Sequence, residues 1–198
     1  MTKSQHRHSL LLLIIESFVL TVLFASSSFS GAGAANQATP PKTIILVRHA
    51  EKKIVPPENK DPDLSAEGEK RAQEIARMFG GSGTTAIYAT QFKRTQQTVK
   101  PLAERLRAPV TVVEAKKTSD LVAQIRARPA GQTIFVAGHN NTVPEIIRAL
   151  GGPSLPIIPE PEYDNLYILT IQSDGAVKLV TLKYGSSKPA SGQNMPKP

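Results

Sequence analysis

At 198 residues the chain has room for one domain with a substantial core, and not for a second full domain. It contains no cysteine, which excludes disulfides, thiolate metal sites, a cysteine nucleophile and the lipidated cysteine of a lipoprotein. A formal charge of +8 favours anionic ligands or surfaces, while an aromatic content of 5% argues against stacking platforms, so no specific nucleic-acid partner is expected.

The first segment, residues 1–34, has the order of a secretory signal peptide. Lys3 and Arg7 precede the apolar run "SLLLLIIESFVLTVLFA", and small residues follow in "SSSFSGAGAA". Cleavage is expected near Ala32–Ala34, which makes the mature chain periplasmic or secreted. Glu16 interrupts the apolar run at a cost on the order of 2–3 kcal/mol for a membrane span, so no stable span is expected after cleavage. An uncleaved tether is the alternative. Residues 35–41 read as a flexible leader, 42–185 as the folded domain, and 186–198, with three prolines and no apolar periodicity, as a disordered tail.

Within 42–185, strand and helix patterns alternate. "TIILV" (43–47) is apolar and β-branched, and "SAEGEKRAQEIARMFG" (65–80) is a helix opened by a serine cap. "AIYAT" (86–90) is a second strand; "KRTQQTVKPLAERLR" (93–107) is a helix that Pro101 should bend. "VTVVE" (110–114) is a third strand and "SDLVAQIRAR" (119–128) a helix closed by Pro129. "TIFVAGH" (133–139) is a fourth strand that leads into the helix "NTVPEIIRALGG", with Thr142 as its cap. "NLYILTIQ" and "AVKLVTLKY" flank "SDG" as a terminal hairpin. This order predicts an α/β three-layer sandwich, a mostly parallel sheet flanked by helices, with a C-terminal antiparallel hairpin.

In such sheets ligands bind at the carboxyl ends of the strands. Arg48 and His49 leave the first strand there, Arg94 lies just past the second, and His139 closes the fourth. Any one of them has a bland reading as a solvated arginine or a hydrogen-bonded rim histidine; four at one edge do not. Arginine offers a planar, permanently charged fork that suits phosphate oxygens, and helix N-termini after the second and fourth strands would add backbone donors. A neutral imidazole can attack phosphorus while a protonated one stabilises the equatorial oxygens. The set suffices for covalent phosphoryl transfer with neither metal nor cofactor.

"LVRHAEK", "YATQFKRTQQT" and "VAGHNNTVPEIIRALGG", in that order, resemble the signature segments of the histidine phosphatase superfamily over Lys42–Tyr184. The resemblance implies a phosphoglycerate mutase-like sandwich with His49 as the phosphorylated nucleophile and Arg48, Arg94 and His139 as the phosphate pocket. It also implies hydrolysis of a small phosphorylated substrate, a monoester or alternatively a phosphohistidine or anhydride. A phospho-ligand binding protein without effective turnover is a further alternative. The short stretch "EAKKTSDL" leaves no room for the covering insertion of larger relatives, so the compact SixA-like branch is the better comparison. Ala50 stands where the family usually has glycine, so the turn there cannot need a positive φ. Asn140 is a candidate phosphate donor, or else a cap of the next helix together with Asn141 and Thr142. Larger relatives place a proton donor near the end of the third strand, where Glu114 falls; Glu51 is its competitor, with pairing to Arg48 or Lys52 as its ordinary role, and the third alternative is that there is no dedicated acid. "EKKIVPPENKDPDLSAEG" is a proline-rich loop beside the pocket.

Overall fold

The computed structural model describes residues 39–186, so the signal segment, the start of the leader and all but the first residue of the tail lie outside the described residues. Six strands and four helices alternate: β1 (Lys42–Arg48), α1 (Ala66–Phe79), β2 (Thr84–Ala89), α2 (Lys93–Leu106), β3 (Val110–Val112), α3 (Thr118–Ala127), β4 (Thr133–Gly138), α4 (Thr142–Ala149), β5 (Asn165–Ile171) and β6 (Val177–Lys183). The sheet order is β3-β2-β4-β1-β5-β6. The first four strands pair in parallel, and β5 and β6 add the expected antiparallel hairpin beside β1.

Alternation along the strands divides the core in two. Ile44 and Leu46 of β1 pack with Ile134 and Val136 of β4 against Ile125, Val143 and Ile146 of α3 and α4. Ile45, Val47, Ile87 and Phe135 face the other way, against Ile75, Val99 and Leu102 of α1 and α2. β1 and β4 are therefore apolar on both faces, as strands covered on both sides must be. Each fully buried aliphatic side chain contributes roughly 1.5–3 kcal/mol.

The helix starts explain where the site residues stand. Ser65 caps α1 as expected, its Oγ accepting from the Gly68 N–H at 3.2 Å. Gly68 is required by close approach, since a Cβ there would lie 2.1 Å from the Glu51 carbonyl oxygen. α2 runs without interruption through Pro101 and ends in left-handed Arg107. Its first amide, Lys93 N–H, is taken by Asp61 Oδ1 at 2.9 Å and is not free for a ligand.

Two local expectations are corrected. β3 ends at Val112, so Glu114 lies in the following turn and not on the strand. Thr142 is not a cap for α4; its Oγ1 accepts from the His139 backbone N–H at 2.9 Å and so pins the exit of β4. The N-cap position falls to Asn141, which makes no side-chain capping bond. Among the described residues, no helix is long and apolar enough to cross a membrane.

Candidate active site

Parallel pairing sets the two histidines side by side. Arg48 lies opposite Gly138 in the β1–β4 register, and the His49 amide donates to the Gly138 carbonyl at 2.9 Å. The imidazole rings meet edge to face with centroids 5.5 Å apart. Arg94 enters from the first turn of α2, the element that follows β2, the neighbour of β4. Arg48, His49, Arg94 and His139 thus share one open cavity of about 400 Å³, with Asn140 on its wall.

Ala50 stays out of the left-handed region, as its identity demands. Its carbonyl lies 2.8 Å from His49 Nδ1. Only a protonated Nδ1 can donate to that carbonyl, so Nε2 carries the lone pair. Burial, with the positive fields of Arg48 and Arg94 and the neighbouring His139, outweighs the bond to Ala50 and pushes His49 down to about 3. At neutral pH the ring is unprotonated at Nε2, with that lone pair held in a fixed direction.

The tautomer of His139 follows from counting protons. Thr95 Oγ1 donates to the Phe92 carbonyl at 2.8 Å, and its hydroxyl has no second proton. Thr90 Oγ1, 2.8 Å away, must then donate to Thr95. At 3.0 Å from His139 Nε2, the Thr90 oxygen is left to accept, so the ring carries its proton on Nε2. Burial, followed by the fields of Arg94 and Arg48, pushes His139 down to about 4. A bound dianion would offset that field and favour the imidazolium.

The arginines are held by groups that leave part of each fork without a hydrogen-bond partner. Arg48 is 1% exposed. Its Nη1 donates to the carbonyls of Pro159, Glu160 and Glu162 at 3.0, 2.8 and 3.2 Å, and its Nη2 to Glu160 Oε2 at 2.8 Å. The guanidinium stacks on Tyr163 at 4.2 Å. Arg94 lies over the Phe92 ring at 4.3 Å, with Asp61 at 3.8 Å, and Phe92 also meets His139 edge to face. The Nε atoms of both arginines are buried with no hydrogen-bond partner. Such donors on charged groups cost energy unless something answers them, and an anion oxygen has the chemistry to do so.

The structure treats the remaining candidates differently. Glu114 is exposed and pairs with Lys116 and Lys117; the hydrogen bond from Lys116, and then the field of Lys117, hold its carboxyl below the ordinary range. It does not line the cavity, and a lowered carboxyl is the reverse of what a proton donor needs. Glu51 is buried and bound by both oxygens to Arg71 of α1, at 2.9 and 2.8 Å, and not to Arg48 or Lys52. Asn140 caps nothing; its Nδ2 donates to Glu160 Oε1 at 3.3 Å.

Sequence reasoning passed over Glu160, Tyr163, Phe92 and the Thr90–Thr95 pair. A signal for the first two existed. Because β5 runs antiparallel beside β1, with Val47 opposite Leu166, the segment "PEPEYD" just before β5 must lie at the carboxyl end of β1.

Residues 44–115 match the family model described as histidine phosphatase superfamily (branch 1). No curated protein matches the chain. Among solved structures, the protein histidine phosphatase SixA complexed with tungstate aligns with a TM-score of 0.57 at 15% identity, over 71% of this chain and 96% of that one. A candidate phosphohistidine phosphatase SixA from Agrobacterium tumefaciens aligns at 0.57 and 19%, over 73% and 99%. A mycobacterial glucosyl-3-phosphoglycerate phosphatase with VO3 aligns at 0.56 and 14%, over 73% and 99%. At these identities the structural likeness is one of fold.

Proposed function

From the membership of residues 44–115 in the histidine phosphatase superfamily, on the fold of its compact SixA-like branch, we propose that this chain hydrolyses phosphate monoesters through a phosphorylated His49. The observation that carries the reading is the pair of buried, unpartnered arginine Nε–H groups beside a histidine whose proton is fixed on Nδ1.

The phosphoryl group takes the open donors of Arg48 and Arg94. His49 Nε2 attacks phosphorus, and the Ala50 carbonyl accepts from the Nδ1–H of the ring as it becomes positive. His139, anchored through Nε2 to Thr90, takes up a proton as the dianion offsets the arginine field, and stabilises charge on the transferring group. Water then attacks phospho-His49 and releases inorganic phosphate. The guanidinium groups supply the positive charge, so the reaction is metal-independent, and excess chelator leaves turnover intact. Export, supported by the order of charges and apolar residues in the first 34 positions, puts this activity outside the cytoplasm.

Rapid quench of the mature chain with a phosphate ester, followed by mass spectrometry at neutral to alkaline pH, tests the mechanism. An acid-labile phosphoramidate on His49, absent in His49→Ala, is expected. Phosphate on any other residue would overturn the assignment.

A further inference from the structure

The reaction needs a proton for its leaving group, and neither carboxylate suggested by the sequence is free to give one. Glu51 is locked to Arg71, and Glu114, which does not line the cavity, pairs with Lys116 and Lys117. One carboxylate does line the cavity that holds both histidines and both arginines: Glu160, on the connection from α4 to β5. We infer that Glu160 is the group that protonates the leaving oxygen, made ready for the task by the substrate itself. The inference rests on the phosphatase reading above.

Three observations carry it. First, Glu160 occupies half of the fork that a phosphate would fill. Its Oε2 sits on Arg48 Nη2 at 2.8 Å while the neighbouring Nε has no partner. A phosphoryl group that spans Nε and Nη2 gains the second bond and displaces the carboxylate. Second, the displaced side chain cannot go far. The carbonyls of Pro159, Glu160 and Glu162 remain bonded to Arg48 Nη1, so the backbone stays fixed beside the phosphate. Third, the side chain is 69% exposed and is otherwise held by a single long bond from Asn140, so it is free to turn and can draw a proton from solvent.

The charged and titratable groups facing it in the cavity are Arg48, Arg94, His49, His139, Lys52 and Lys116. Once Arg48 is spent on a dianion and two negative charges lie beside the displaced group, its protonated form is favoured.

The proton balance closes over the cycle. In the first step the His49 Nε2–P bond forms, the P–O bond to the leaving group breaks, and the Glu160 proton passes to the departing oxygen. In the second, Glu160 takes a proton from the water that attacks phosphorus, the N–P bond breaks, and phosphate leaves.

The test compares wild type with Glu160→Gln and Glu160→Ala on alkyl phosphates and on 4-nitrophenyl phosphate, whose leaving group departs without help. Both variants are expected to lose about 10²–10³-fold in kcat on the alkyl esters and much less on the aryl ester. In a second measurement, tungstate binding by calorimetry in buffers of different ionisation enthalpy should take up more protons in wild type than in Glu160→Gln. Equal losses on both ester types, or equal proton uptake, in an enzyme that still forms phospho-His49 would overturn the role of Glu160 alone. Absence of phospho-His49 in wild type would overturn the phosphatase reading and this inference with it.

Discussion

Arg48 and Glu51 leave the same strand within one short motif, yet they end in opposite kinds of ion pair. Glu51 meets Arg71 with both oxygens, both side chains are buried, and the Tyr184 and Ser186 carbonyls take further donors of the guanidinium at 2.9 and 2.7 Å. Arg48 is as deeply buried, but its carboxylate partner is open to solvent, uses one oxygen on one nitrogen, and leaves Nε without a partner. Desolvating a charge costs several kcal/mol. The closed pair offsets that cost within the fold; the open pair leaves part of it for a ligand to offset. Charge satisfaction, more than charge itself, separates the scaffold from the site.

Breaking the closed pair is expected to have the largest effect. Glu51→Gln leaves Arg71 a buried charge without its counter-ion, and about 3–5 kcal/mol of stability should be lost in urea unfolding. Turnover per folded molecule should stay near that of wild type; a loss of kcat with stability intact would move Glu51 from scaffold to chemistry.

The open side is probed by Arg94→Lys, which keeps the charge and removes the fork. A fall of about 10²-fold in kcat/KM, close to 3 kcal/mol, is expected, with unfolding changed by less than about 0.5 kcal/mol. Near-normal kinetics would return Arg94 to the class of solvated helix residues.

A third expectation concerns pH. His49 and His139 are held down to about 3 and about 4 in the fold, whereas unfolded histidines titrate near about 6.5. Between those values the unfolded chain binds more protons, so the stability linked to the two neutral rings is complete above about 6.5 and lost as pH falls toward about 3. Urea midpoints measured from pH 7 to pH 4 should decline, and less steeply in His49→Gln. A slope unchanged by that substitution would mean the ring is not shielded as described.

The smallest effect is expected at Glu114. Glu114→Gln should alter kcat by less than about twofold on alkyl and aryl phosphates alike, since its carboxylate faces Lys116 and Lys117 and not the cavity. A selective loss on alkyl esters would restore it as the proton donor.

What the amino-acid order determined by itself is the alternation of elements and, through it, the shared edge. Parallel strands with helical crossovers all exit on one side, so Arg48, His49, Arg94 and His139 could be brought together from periodicity and position alone. The hairpin was equally legible, because "SDG" supplies Gly175 at φ 85°, a conformation that glycine adopts without strain. The end of β3 was not: pairing with β2 stops at Val112, opposite Ala89, and no local propensity in "VTVVE" marks that limit. Tertiary structure alone decided which carboxylate belongs to which arginine. Glu51 and Arg71 are brought together by the close approach of α1 at Gly68, and Glu160 reaches Arg48 across 112 positions because β5 runs back along β1. Sequence patterns report which face of an element is buried, since that depends on near neighbours in the chain. Whether a buried charge is closed by the fold or left open to a ligand depends on groups distant in sequence, and only packing brings them within 3 Å.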